Sequence, residues 1–255
     1  MATALVTGAT AGIGAAYATK LAKEGYDLIL VARDKKRLTD TAKSLSKEFG
    51  IKAEILVADL TKSTQLAKVE KRLASKVKPI EVLINNAGFG INKSFLDSAR
   101  DAEQELLDVL VTAPMRLTHS VLPIMKERNS GIVVNVSSVA SWIAGGTYSA
   151  AKSYLTVFTE SLHTELRETK VNISALCPGF TRTEFHQRGR MKMSGLPNFM
   201  WLSAEKVVEQ SWQAAKSGKA ICVPGWQYLI LSSISRFGPR PLVRRIGMNV
   251  RKKQR

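Results

Sequence analysis

The 255-residue chain reads as a doubly wound α/β domain: a parallel sheet covered by helices on both faces. Three observations predict it. Short apolar runs alternate with amphipathic segments from the N-terminus through residue 176. The runs are almost continuous in Val, Ile, Leu and Ala, as strands buried on both faces are. A glycine-rich turn, Gly8-Ala-Thr-Ala-Gly-Ile-Gly14, joins the first run directly to the first helix.

Residues 4–7 form the first predicted strand and 15–24 the helix after the turn. Residues 27–32 are a second strand, followed by a helix over 34–49 with Asp34 as its cap and Gly50 as its stop. Strands at 53–58 and 80–84 flank a helix over 63–77. A long helix over 102–126 leads to a strand at 131–136, and a helix over 148–169 to a strand at 171–176. Ser203 reads as the N-cap of a helix through Ala215.

With 45% hydrophobic residues the chain can bury a full core, and its length suits one large domain. No apolar run approaches the length of a membrane span, and the first residues lack a secretory pattern. Cys177 and Cys222 lie in strand-like apolar contexts, and the three histidines are scattered. Neither set has metal-ligand spacing, so a reduced, cytoplasmic protein without a metal is expected. The formal charge is +17, and it is uneven: Glu209 is the last acidic residue, and ten Lys and Arg follow it. Such a tail suggests an anionic partner.

Ligands of doubly wound sheets bind beyond the carboxyl ends of the strands. The polar motifs fall there: the glycine turn with Thr10 and Ile13 after the first strand, Arg33 after the second, and Asp59 with Leu60 after the third. Asn85-Asn86-Ala87-Gly88 follows the fourth, Ser137-Ser138 the fifth, and Pro178-Gly179 with Thr181 and Thr183 the sixth. Glycines at Gly8, Gly12 and Gly14 let the backbone and a helix N-terminus approach a pyrophosphate. The second strand ends in Ala32 where a carboxylate would receive an NAD ribose, and Arg33 follows, which favours the 2′-phosphate of NADP(H). Tyr148 and Lys152 are four residues apart on one helical face. An ammonium beside a phenol is expected to draw the phenol pKa down from about 10.

Thr7-Gly-Ala-Thr-Ala-Gly-Ile-Gly14, Asn85-Asn-Ala-Gly88, Ser138, Tyr148-x-x-x-Lys152 and Pro178-Gly-Phe-Thr-Arg-Thr183 together resemble the short-chain dehydrogenase/reductase family, over about residues 1–225. The resemblance implies a Rossmann-like three-layer fold with seven parallel strands, the seventh supplied by residues 220–223. It implies hydride transfer between a nicotinamide and a carbonyl or secondary alcohol, and assembly as a dimer or tetramer. Tyr148 would be the general acid. Lys152 would hold the nicotinamide ribose, and Ser138 would orient the substrate oxygen. Asp59 would meet adenine, Asn86 and Ala87 would line the adenosine ribose, and Thr183 would hold the carboxamide. Two departures stand out. Leu110 occupies the position where the family usually carries an Asn in the relay behind the Lys, which motivates an alternative reading as a dinucleotide sensor or scaffold. The segment from Ser138 to Tyr148 is shorter than in many relatives, which leaves Ser137 and Ser141 as alternatives.

Residues 184–201 are expected to cross the site as an apolar lid, with Phe185, His186, Met191, Met193, Leu196, Phe199, Met200 and Trp201. Arg182, Arg188, Arg190 and Lys192 add positive charge at its mouth. Residues 226–255 form a C-terminal extension in which Leu229, Ile230, Ile234, Phe237, Leu242, Val243, Ile246 and Val250 interleave with Arg244, Arg245, Lys252 and Lys253. That pattern suits an interfacial helix on anionic lipid or a helix on a second subunit. No nucleic-acid recognition motif accompanies the charge.

Overall fold

A computed structural model of the chain describes residues 2–189, 196–241 and 243–245. Its main sheet has seven parallel strands: β1 (Thr3–Thr7), β2 (Asp27–Ala32), β3 (Ala53–Val57), β4 (Ile80–Asn85), β5 (Gly131–Val136), β6 (Val171–Leu176) and β9 (Ile221–Cys222). Their order is β3-β2-β1-β4-β5-β6-β9, every pair in parallel register. The strand order reverses between β1 and β4, and a crevice opens there above the carboxyl ends. The expected fold class is the observed one, and the expected seventh strand is β9, trimmed to two residues.

Helices α1 (Gly12–Lys23), α2 (Lys35–Phe49) and α8 (Ala204–Lys216) cover one face; α3 (Ser63–Leu73), α5 (Ala113–Glu127) and α6 (Thr147–Glu165) cover the other. Tyr17, Leu21, Leu38, Val207 and Trp212 fill the first layer, and Leu66, Val69, Leu117, Val121 and Met125 the second. A fully buried Leu contributes about 1.5–3 kcal/mol. The polar tips of the two large aromatics are matched: the Tyr17 hydroxyl donates to Ser211 Oγ (2.6 Å) and Trp212 Nε1 to Glu24 Oε2 (2.8 Å). Asp34 caps α2, accepting from Arg37 N at 3.0 Å, and Gly50 closes it in the left-handed region. Ser203 caps α8 as expected.

Element ends differ from the sequence reading for local reasons. Helix α3 stops at Leu73, because the chain must turn through Lys78 (φ +48°) before Pro79. Helix α6 stops at Glu165, and the Thr169 hydroxyl bonds the Leu166 carbonyl beyond it. The single helix expected over 102–126 is α4 (Arg100–Leu107) and α5 joined by a π turn, Asp108–Thr112. Pro114 has no N–H with which to continue the ladder, and Ala113 N bonds five residues back to Asp108 O. Between β6 and α8 lie a short pair of parallel strands, β7 (Thr181–Arg182) and β8 (Leu202–Ser203), and helix α7 (Phe185–Arg188). Helix α9 (Trp226–Phe237) follows β9.

Candidate active site

Above the switch point lies a cleft of about 1200 Å³. At its floor the β1–α1 turn packs directly on the end of β4. Gly8 has φ +66°, and a Cβ on it would meet the Asn86 amide at 2.8 Å; a Cβ on Gly14 would meet Gly8 O at 2.2 Å. Only hydrogens fit in either place. The Thr7 hydroxyl donates to Ile84 O (3.2 Å) and accepts from Asn86 N (2.9 Å) and Ala87 N (3.0 Å). The Asn86 amide donates to Thr7 O and Gly8 O, so this side chain braces the turn. No side chain caps the first turn of α1 and no acid lies in it, which leaves a helix N-terminus suited to phosphate.

One end of the cleft is built from the ends of β2 and β3. Arg33 and Asp59 line the cleft side by side. Burial raises the Asp59 pKa, but hydrogen bonds from Thr61 N (3.0 Å) and Thr61 Oγ1 (2.9 Å) and the charge of Arg33 outweigh it, so the carboxyl sits below its ordinary value. Arg37, which sequence reasoning did not single out, also lines the cleft. Its guanidinium donates to Thr10 O (3.2 Å) and pairs with Glu184 (2.7 and 3.1 Å), tying α2, the glycine turn and the chain just before α7 together. Its one legible signal was a position one helical turn after Arg33. Arg37 and Arg188 together lower the Glu184 pKa to about 2.

At the other end, Tyr148 and Lys152 lie on the first turns of α6, facing the end of β5. Lys152 Nζ donates to Val136 O (2.6 Å) and lies 5.7 Å from the Tyr148 ring centre. The expectation that Lys152 pulls the phenol pKa down is corrected here. Burial pushes Tyr148 up to about 12, a hydrogen bond with Ser138 opposing it only in part, and burial pushes Lys152 down to about 8. Desolvation dominates both shifts, and the ammonium's short bond is to a carbonyl rather than to the phenol. Ser138 Oγ accepts from Ala140 N (3.1 Å) and lines the cleft. Ser137 also borders the cleft, but its Oγ donates to Lys152 O (2.9 Å) and holds α6 in place. Ser141 is buried and does not line the cleft.

Of the sequence-selected positions, Gly8, Thr10, Gly12, Ile13, Arg33, Asp59, Leu60, Asn86, Ala87, Gly88, Ser138, Tyr148, Lys152, Pro178, Gly179, Thr181 and Thr183 all line this one cleft. Gly14 lies behind it. Leu110 sits in the π turn, fully buried against Gly88 and packed with Leu106, Ala151 and Tyr148. Of the segment expected as a lid, Phe185, Arg188, Leu196 and Met200 are in the wall, and the Phe185 and Tyr148 ring centres are 6.0 Å apart. Trp201 packs on Phe180 and under Arg182, whereas Phe199 is exposed. Arg190, Met191, Lys192, Met193 and the side chain of His186 lie outside what is described, as do Leu242, Ile246, Val250, Lys252 and Lys253. The wall also contains Tyr228, Leu231, Ser232 and Ser235 of α9, which no motif announced.

The cleft fits a nicotinamide dinucleotide. It is larger than a typical small-ligand pocket, runs from Arg33 to Lys152, and turns at Gly12, where a Cβ would meet Thr183 at 2.9 Å.

Comparisons with known proteins agree with this geometry. Residues 2–193 match the family description "short chain dehydrogenase". Ketoacyl reductase HetN of Nostoc sp. is 38% identical over 181 residues, 70% of this chain and 63% of that protein, less than two thirds of its length. Very-long-chain 3-oxoacyl-CoA reductase-A of Danio rerio is 28% identical over 259 residues, 99% of this chain and 79% of that one. A solved short-chain dehydrogenase from Sphingobium yanoikuyae in complex with NADPH superposes with a TM-score of 0.84 at 32% identity, covering 91% of this chain and 93% of the other. The chain belongs to the short-chain dehydrogenase family of oxidoreductases.

Proposed function

We propose that this protein reduces a lipophilic ketone, such as a long-chain keto-acyl or sterol-like group, with NADPH. The observation that carries the reading is the convergence of Ser138, Tyr148 and Lys152 at the apolar end of a cleft whose far end presents Arg33. Phe185, Leu196, Met200 and Leu231 wall the substrate side. The keto-acyl and very-long-chain reductases among the relatives support the lipophilic class.

When bound, the nicotinamide supplies the hydride. Tyr148, with its pKa near 12, is a neutral phenol at working pH and donates its proton to the carbonyl oxygen. Ser138, oriented by the Ala140 N–H, gives that oxygen a hydrogen bond as negative charge develops. Lys152, anchored on Val136 O, holds the ribose, and Arg33 meets the 2′-phosphate. Asp59 contacts adenine, Asn86 and Ala87 border its ribose, and Thr183 holds the carboxamide. Dimer or tetramer assembly belongs to the same reading, as does a cytoplasmic location with the C-terminal region on an anionic membrane surface.

The test follows NADPH absorbance over a ketone panel that includes lipid-like members. Tyr148→Phe is expected to lower kcat about 10²–10⁴-fold while NADPH still binds. Tight NADPH binding with no turnover on the whole panel overturns the reading.

A further inference from the structure

Helix α9 has two unlike faces. Tyr228, Leu231, Ser232 and Ser235 follow helical spacing and line the catalytic cleft. On the opposite side Trp226, Ile230, Ile234 and Phe237 form a second stripe, with relative exposures of 68%, 53%, 50% and 82%. Phe199, also exposed, lies at the start of this stripe, where its carbonyl accepts from Gln227. A continuous apolar strip of this kind marks an interaction surface.

We propose that the outer face of α9 docks the protein on an anionic lipid bilayer, and that lipophilic substrate enters the cleft from the bilayer along the inner face of the same helix. The second half rests on the lipophilic-ketone reading above.

Charge selects the occupant. Arg240, Arg244 and Arg245 are exposed immediately beyond α9, on helical residues where Val243 is buried and its N–H bonds Pro239 O (3.1 Å). No acidic residue follows Glu209 anywhere in the chain. A two-fold contact with a second copy through this face would bring two C-terminal regions without a single acid close together. An anionic lipid surface accepts the apolar strip and the arginines together. Helix α9 has 12 residues, and no helix among the described residues is long and apolar enough to cross a membrane, so the helix lies in the interface. Tyr228, with hydrogen bonds to Phe180 N and Met200 O, and Gln227, which donates to Phe199 O, hold its first turn to the body, and Arg236 near its end lies over the Trp142 ring. Its inner stripe thus separates the acyl region from Tyr148 by the width of one helix.

The test is flotation of the full chain with phosphatidylcholine vesicles, with and without phosphatidylglycerol. The wild type is expected to float with the anionic vesicles and far less with the neutral ones. Arg240→Gln/Arg244→Gln/Arg245→Gln should lower partitioning roughly a hundredfold, at about 1 kcal/mol per basic residue. Ile230→Ser/Ile234→Ser should abolish it. Both variants should reduce a water-soluble ketone at the wild-type rate, since neither set lines the cleft, while losing turnover of a long-chain ketone embedded in the vesicles. A wild type that does not float overturns the docking. So does an Ile230→Ser/Ile234→Ser protein that floats unchanged but falls from dimer to monomer, which assigns the face to a second copy. Unchanged turnover of the embedded ketone in the non-floating variants overturns the entry route. If flotation behaves as expected but no ketone is reduced, the docking stands and the ketone reading fails.

Discussion

Gly179 and Tyr228 are built against each other. A Cβ on Gly179 would lie 2.1 Å from the Tyr228 ring, and that ring is fixed by its hydroxyl, which accepts from Phe180 N (3.0 Å) and donates to Met200 O (2.5 Å). The contact is where α9 is held over the cleft. Gly179→Ala therefore has no small rearrangement open to it. We expect a loss of about 1–3 kcal/mol in urea unfolding, the usual range for overpacking. We also expect weaker NADPH binding, since α9 must shift. Unaltered stability would show that the ring moves aside freely.

Arg33 lies at the β2–β3 end of the cleft beside Asp59, and position 32 holds an alanine rather than an acid. Arg33→Ala should weaken NADPH about 10- to 100-fold, the value of a charge-assisted hydrogen bond, and leave NADH nearly unchanged. Fluorescence titration of both cofactors measures it. Equal affinities in the unmutated protein would remove the 2′-phosphate role.

Lys152 carries a pH signature. Its ordinary pKa is 10.5 and its folded value is about 8. Between those values the unfolded chain binds more protons than the folded one, so this group makes stability rise with pH from about 8 to 10.5. Below pH 8 both states are charged, and the cost of burying the ammonium is felt in full. Buried Cys177, pushed up to about 12, works in the opposite direction at high pH, so the useful quantity is a difference. Stability of the wild type minus that of Lys152→Met, from denaturant midpoints, should increase through this window. A flat difference would mean that Lys152 is not desolvated in the folded chain.

Leu110 fills the space between Gly88 and α6 from within the π turn. Leu110→Ala should cost about 2–5 kcal/mol, the range for emptying a buried Leu site. It should also loosen Tyr148, which packs on the same cluster. Calorimetry reads the first effect. A drop in kcat larger than the change in KM reads the second. A stability change below about 1 kcal/mol would show that the π turn collapses into the space.

Strand positions and the polar motifs at their carboxyl ends were legible because each rests on local chemistry: an apolar run, a turn only glycine can make, a cap residue. Parallel pairing then puts every carboxyl end on one edge, so residues as distant in sequence as Arg33 and Thr183 share one cleft. Helix ends were less legible where Pro79 and Pro114 act at a distance of several residues. The Tyr148 pKa was misread because a spacing of four reports proximity but not burial, and burial sets its direction here.

By itself, then, the sequence determined the class of sheet, the dinucleotide turn, the Tyr148 and Lys152 pair and the one-signed charge after Glu209. Tertiary structure alone decided that the Ser137 hydroxyl is spent on the α6 backbone while Ser138 bonds Ala140 N at the cleft wall, that Arg37 ties the glycine turn to Glu184, and that α9 borders the cleft through Tyr228. The reason is physical. The first set follows from the backbone and side-chain preferences of neighbouring residues, whereas the second depends on which surfaces meet once 255 residues are packed, and on how much water that packing removes.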